Sequence, residues 1–239
     1  MRKKILIFGG NGVIGSYLVN QLQFNYDVYS VDISFENNKK LKKKNKIKFS
    51  KNLNFNSLFN KNNFYSVIHC MQFKSKNFVY NSLDNFDKKL YENVMYTNLE
   101  LPLHSITEYI KSIKKLGSIG RVINFTSTYG IISSSPTLYH KTEMGNPPYY
   151  SISKFGLMGL TKYVASYFKE YKILCNSISP HGIENNQSKK FKQNFSKRSP
   201  IGRLSHPKEI LPAVEFLLNP DNNYTNGANI AVDGGWTAC

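Results

Sequence analysis

At 239 residues, 41% of them hydrophobic, the chain is long enough to bury one sizeable α/β core. No stretch is long and apolar enough to span a bilayer, and three cysteines without C-x-x-C or metal-ligand spacing argue against a disulfide framework and a metal site. The net charge of +17, from 32 basic against 15 acidic residues, is mostly lysine and comes with no recognised nucleic-acid-binding motif, so it reads as solvated faces that attract anionic substrates.

The N-terminus runs straight into a strand, so no secretory leader is expected, and the cysteine usage suits a reducing, cytoplasmic setting. Residues 5–8, "ILIF", read as a buried strand behind the charged Arg2-Lys3-Lys4. From Val13 the apolar residues Val13, Ile14, Tyr17, Leu18 and Leu22 fall at helical spacing. Between them, Gly9, Gly12 and Gly15 give G-x-x-G-x-x-G on a strand-to-helix turn. Such a turn lets backbone N–H groups at a helix N-terminus face an anion, and a dinucleotide pyrophosphate is the usual guest. A plain tight turn is the bland alternative. The candidate contacts are Gly9, Asn11, Gly12, Val13, Ile14 and Gly15.

Residues 27–34, "DVYSVDIS", read as a second strand with Asp32 near its end. A carboxylate at this offset accepts hydrogen bonds from the adenosine ribose hydroxyls and repels a 2′-phosphate, which favours NAD over NADP. The basic run "NKKLKKKNK" at 38–46 reads as solvated, with lysines that could reach a phosphate. Strand-like runs recur at 65–71, 120–127, 172–179 and 227–233, with helical patterns at 84–115, 150–169 and 207–218. In the last of these Pro207 falls in the first turn and Pro212 near it. The alternation predicts a three-layer, doubly wound α/β fold with a parallel sheet of about seven strands. Residues 1–239 are expected to form one domain, with ligands beyond the carboxyl ends of the strands.

"YYSISK", 149–154, holds Tyr150 and Lys154 one helical turn apart. A lysine ammonium beside a tyrosine hydroxyl favours the phenolate, so the tyrosine can act as a general acid or base. Ser127, at the end of the run "INFTS", could donate a hydrogen bond to a substrate carbonyl or hydroxyl oxygen.

These parts stand in an order that resembles the single-domain branch of the short-chain dehydrogenase/reductase family over nearly the whole chain. The stretches that carry the resemblance are the glycine turn, Asp32, "TNL" at 97–99, "INFTSTYG", "YYSISK", "NSISPHGI" and "SPIGRLSHPKEI…NGANIAVDGGW". The resemblance implies a Rossmann fold, a nicotinamide cofactor, a small-molecule substrate, and a homodimer or homotetramer paired through the helices around 84–115 and 150–169, with no nucleic acid or membrane as partner. It makes Tyr150 the acid/base, and has Lys154 lower its pKa and hold the nicotinamide ribose. Ser127 would orient the substrate oxygen. Asn98 would hold the active-site helix and a water that relays protons to Lys154. The backbone around Ile183 would meet the nicotinamide carboxamide.

Departures from the family pattern carry expectations of their own. "HCMQ", 69–72, replaces an N-N-A-G-like turn, and His69 is expected to be packed rather than catalytic. Asn52 stands in for an aspartate that often contacts adenine. His181 either faces the substrate or is solvated. The long segment between Ser127 and Tyr150 reads as an enlarged loop that offers Tyr139, His140, Lys141 and Glu143 to a hydroxylated ligand. In "ENNQSKKFKQNFSKRSP", 184–200, Lys189, Lys190, Lys192, Lys197 and Arg198 either meet a phosphate or are solvated. The combination resembles a subgroup tied to bacterial surface-polysaccharide and flagellin-glycan pathways, which implies a hydroxyl-to-ketone step on a sugar phosphate or nucleotide sugar. Rival readings are an NADPH-dependent 3-oxoacyl thioester reductase and a non-catalytic NAD-binding regulator.

Overall fold

The computed structural model of the chain describes residues 2–75, 86–142 and 144–238. β1 (Lys4–Phe8) is an interior strand of a seven-stranded sheet, and its alternation sorts the core. Leu6 and Phe8 point to one face, Ile5 and Ile7 to the other. α1 (Val13–Leu22) follows the glycine turn and lays Leu18, Val19 and Leu22 over Ile5 and Ile7. The chain then returns as β2 (Asp27–Asp32), parallel to β1.

Next come β3 (Lys46–Lys48), α2 (Phe55–Lys61) and β4 (Phe64–His69). α3 (Lys88–Met95) runs through a π-turn at Tyr96–Glu100 into α4 (Leu101–Leu116). The remainder is β5 (Gly120–Phe125), α5 (Pro136–Tyr139), α6 (Pro148–Tyr167), β6 (Ile173–Pro180), α7 (Lys189–Arg198), α8 (Leu211–Leu218) and β7 (Asn229–Val232). The strand order is β3-β2-β1-β4-β5-β6-β7, and every paired neighbour is parallel.

Residues of α2, α4 and α6 bury Phe59, Ile106, Tyr109, Ile113 and Val164 on one face, while α1 and α8 bury Leu18, Val214 and Leu218 on the other. Each such side chain contributes roughly 1.5–3 kcal/mol by leaving water. The strands are apolar on both sides because helices cover both. This is the three-layer doubly wound fold the sequence predicts. The strand order reverses between β1 and β4, and a crevice opens there at the carboxyl ends.

Several boundaries differ from expectation. The basic run at 38–46 is only partly solvated: Asn38, Leu41 and Asn45 are buried, and the run leads into β3. Asn45 Nδ2 donates to Asp27 Oδ1 at 2.8 Å and to the Val28 carbonyl at 2.9 Å. β3 reads Lys-Ile-Lys. Its lysines blunt an edge strand, and only Ile47 packs on the core. The predicted helix at 84–115 begins at Lys88, and residues 84 and 85 lie outside the described residues. The predicted helix at 207–218 is a 3₁₀ turn, Pro207–Ile210, followed by α8, so each proline occupies the first turn of its own segment.

Candidate active site

The glycine turn is built by close approach. Gly9 has φ +76°, and a Cβ there would lie 2.7 Å from the Met71 backbone. A Cβ on Gly15 would collide with the Gly9 carbonyl and the Gly10 Cα, so α1 can pack on the turn only with glycine at that position. Gly15 is therefore buried behind the turn and does not line the cleft, whereas Gly9, Asn11, Gly12, Val13 and Ile14 do. Gly12 caps α1 without a side-chain acceptor, so the first amides of the helix face the cleft unobstructed. That open helix end fits a pyrophosphate.

Asp32 closes this end of the site. Its Oδ2 accepts from the Asn11 amide at 2.7 Å and its Oδ1 from the Ile33 amide at 2.7 Å. Two asparagines outside the sequence argument brace the turn. Asn37 bonds Asn11 through both its backbone N–H and its Nδ2, each at 2.8 Å, and Asn38 Nδ2 donates to the Gly10 carbonyl at 2.7 Å. Their only sequence signal is polar side chains placed after a strand, a common turn composition. Asn52 is exposed and does not line the cleft; Phe49, just beyond β3, lines it in that region instead.

The second group lies across the cleft. Ser127 follows β5 and caps a 3₁₀ turn, Thr128–Gly130, accepting from the Tyr129 amide at 3.2 Å. Tyr150 and Lys154 project from the first turns of α6, which Pro148 starts. The Ser127 side chain hydrogen-bonds the Tyr150 hydroxyl and favours the phenolate, but burial outweighs it and pushes the Tyr150 pKa up to about 12. Lys154 is buried, and burial lowers its pKa to about 8. Its Nζ donates to the Phe125 carbonyl at 2.9 Å and lies 5.8 Å from the Tyr150 ring centre. Desolvation is thus the largest influence on the Tyr150 hydroxyl, with the Lys154 ammonium nearby and hydrogen-bonded to the Phe125 carbonyl.

Asn98 is in the π-turn between α3 and α4, an irregularity that often marks functional positions. Its Oδ1 accepts from the Phe73 amide at 3.1 Å, and its Nδ2 donates to Ser153 Oγ at 3.1 Å. Ser153 Oγ in turn donates to the Tyr150 carbonyl at 2.7 Å. Asn98 therefore grips the turn of α6 that carries Tyr150, without lining the cleft. His69 is buried between Asn124 Oδ1 and Ser105 Oγ, at 2.8 and 2.9 Å, and burial lowers its pKa to about 4. Cys70, next to it, lines the cleft.

Gly9, Asn11, Gly12, Val13, Ile14, Asp32, Ser127, Tyr150 and Lys154 line one continuous cleft of about 1390 Å³. Ile183 lines it after β6, as do Tyr139 and Lys141 of the long loop; His140 does not, and Glu143 lies outside the described residues. α5 and α7 roof its far end. Asn194 Nδ2 ties them together, donating to the Leu138 carbonyl at 3.1 Å and the His140 carbonyl at 3.0 Å. Of the five lid cations, only Lys190 lines the cleft. Lys192 pairs with Glu184 at 2.7 Å, and Arg198 lies 4.8 Å over the Trp236 ring and bonds Ser135. His181 is buried rather than solvated, and it too lines the cleft.

A doubly wound sheet with a glycine turn and an acid at the end of β2 defines a nucleotide-binding α/β protein. Residues 60–237 match the family model described as enoyl-(acyl carrier protein) reductase. The 2-dehydro-3-deoxy-D-gluconate 5-dehydrogenase of Escherichia coli (strain K12) is 27% identical over 159 residues, 64% of this chain. The match spans only 59% of that relative's length. A crystal structure of a short chain dehydrogenase from Leptospira borgpetersenii with bound NAD⁺ superimposes with a TM-score of 0.86 at 29% identity, covering 99% of this chain and 93% of that one. A structure of ElxO with NADP bound, 20% identical, shares the fold at a TM-score of 0.80 with 100% of each chain covered. The chain belongs to the short-chain dehydrogenase/reductase family.

Proposed function

We propose that the chain, as one domain over 1–239, is an NAD-dependent oxidoreductase that interconverts a secondary alcohol and a ketone. The observation that carries this reading is one cleft lined by the uncapped end of α1, Asp32, Ser127, Tyr150 and Lys154. Gly9, Asn11, Gly12, Val13 and Ile14 would hold the pyrophosphate, Asp32 the adenosine ribose, and the backbone at Ile183 the nicotinamide carboxamide. The nicotinamide, when bound, supplies the hydride acceptor or donor.

Tyr150 takes the proton from the substrate hydroxyl, or returns it to the carbonyl oxygen. Ser127 donates a hydrogen bond to that same oxygen and holds it in line. Lys154 holds the nicotinamide ribose, and its charge offsets part of the burial that opposes the phenolate. Asn98 acts as a positioning residue through Ser153. An acid at Asp32 disfavours a 2′-phosphate, which sets this reading apart from an NADPH-dependent thioester reductase. Support for a polar, anionic substrate of the sugar-phosphate or nucleotide-sugar type, in surface-glycan synthesis, comes from Lys141 and Lys190 on the cleft wall. Ile152, Phe155 and Tyr163 are exposed along α6 and offer a face for pairing two copies into a homodimer or homotetramer.

The test is NAD⁺-dependent oxidation of a panel of sugar phosphates and nucleotide sugars, read at the reduced-nicotinamide absorbance. Turnover is expected in the wild type, and Tyr150→Phe is expected to lower kcat by about 10²–10⁴-fold with NADH binding retained. Equal rates in both proteins contradict the assignment.

A further inference from the structure

The cleft wall is biased in charge. Among the described residues that line it, Lys74, Lys141, Lys154 and Lys190 are basic, and Asp32 alone is acidic. Asp32 has both oxygens engaged by backbone amides, and Lys154 donates to the Phe125 carbonyl. Lys74 stands on the segment after β4. Lys141 and Lys190 differ from these in belonging to the roof.

The end of α5 runs along the first turns of α7. The Tyr139 and Phe191 ring centres are 6.1 Å apart, and Asn194 Nδ2 donates to the Leu138 and His140 carbonyls. Lys190 is one helical turn before Asn194, on the same side of α7. Lys141 directly follows His140, in a left-handed conformation with φ +55°. Thr142 closes that turn, its N–H and its Oγ1 both donating to the Tyr139 carbonyl. One seam, 138–140 against 191–194, thus brings a lysine from each of its sides to the cleft wall. Both lysines are exposed, and neither makes an ion pair among the described residues, whereas Lys192 of the same helix is met by Glu184. Like charges held on one seam repel, and an anion between them relieves that repulsion. Each ammonium offers three donors, which suits the oxygens of a phosphoryl group.

Tyr139 also links the seam to the reaction centre. Its hydroxyl donates to the Tyr129 hydroxyl at 3.2 Å, and the Tyr129 ring lies 6.4 Å from that of Tyr150. Two tyrosines therefore stand between the seam and the acid/base. An anion held at the seam belongs to a part of the ligand remote from the reacting carbon.

We propose that Lys141 and Lys190 form a two-armed clamp for a phosphoryl group that the substrate carries away from its reacting carbon, as a phosphate monoester or as the diphosphate of a nucleotide-linked sugar. This rests on the oxidoreductase reading above and assigns the anion of that reading to named residues. The clamp spans α5 and α7, so a bound phosphoryl group bridges the two roof elements and adds to the tie made by Asn194.

The experiment titrates inorganic phosphate into the NADH-saturated protein at low ionic strength and follows the phosphate signal by phosphorus NMR, with the cofactor already filling the α1 end. Saturable binding is expected in the wild type. Lys141→Gln and Lys190→Gln are each expected to weaken it by about fivefold, with recovery in Lys190→Arg. Lys189→Gln removes an equal charge from the same turn of α7, but outside the cleft, and is expected to leave the affinity unchanged. D-Glucose 6-phosphate and UDP-glucose then compete with phosphate, with glucose as the uncharged control. Tighter displacement by the first supports the clamp with a monoester as its ligand, and by the second with a diphosphate. Absence of saturable phosphate binding, an equal loss in Lys189→Gln, or displacement by neither sugar derivative overturns the clamp, while NADH binding leaves the oxidoreductase reading standing. Failure to bind NADH overturns that reading, and this inference with it.

Discussion

At the scale of single residues, the two ends of the glycine turn do different jobs, and substitution separates them. Gly15→Ala forces a Cβ into the Gly9 carbonyl and is expected to cost about 3 kcal/mol of stability, read by urea unfolding. A Cβ on Gly12 meets only the Gly9 carbonyl, at 3.3 Å, so Gly12→Ala is expected to keep its stability within about 1 kcal/mol and still weaken NAD binding by obstructing the helix end. Equal stability losses in the two variants contradict this division. In the proposed mechanism Lys154 acts by charge. Lys154→Met is expected to lower kcat/KM by about 10²-fold and to move the rising limb of the pH profile for oxidation to higher pH, because the phenolate loses a nearby cation. An unmoved limb excludes that role. Tyr150, Lys154 and Ser127 were legible in the sequence because spacing on a helix and position at a strand end survive folding. The pKa of Tyr150 was not legible, because it depends on burial, which a one-turn spacing does not report.

At the scale of elements, long periodic segments were readable and short irregular ones were not. β1, α1 and α6 follow directly from apolar spacing. β3 is three residues with two lysines, and nothing in that composition separates an edge strand from a solvated loop. The π-turn at Tyr96–Glu100 is equally silent, since it adds one residue to a helical turn without changing the composition. It matters because it delivers Asn98 to both the Phe73 amide and Ser153. Asn98→Ala removes the acceptor of the Phe73 amide and the donor to Ser153 Oγ, and is expected to destabilise by about 1–3 kcal/mol and to lower kcat more than it raises KM. A stability loss with kcat unchanged would reduce Asn98 to a purely structural part. The lid elements α5 and α7 were foreseen as loops over the site, with their cations left open between meeting a phosphate and being solvated. Local pairing with Glu184 and Trp236 claims two of them, a tertiary preference that a run of lysines does not encode.

At the scale of the whole molecule, the fold buries two histidines as neutral rings. His69 and His181 are both held near pKa 4 by desolvation and return to about 6.5 on unfolding. Between those values the unfolded chain binds protons that the folded chain does not. Stability is therefore full above about pH 6.5 and is lost as pH falls toward 4, by on the order of 3 kcal/mol for each ring. Urea midpoints measured at pH 7.5 and pH 5 are expected to show this drop, and equal midpoints contradict it. The sheet order itself follows from alternating strand and helix patterns, and it brings the glycine turn after β1 and Ser127 after β5 to one crevice. The central claim is that this crevice takes NAD and uses it. The most direct test is calorimetric titration with NAD⁺, NADH, NADP⁺ and NADPH, with Asp32→Ala alongside the wild type. Preference for NAD(H), weakened in the variant, is the predicted result; preference for NADP(H), or binding of neither cofactor, would contradict it.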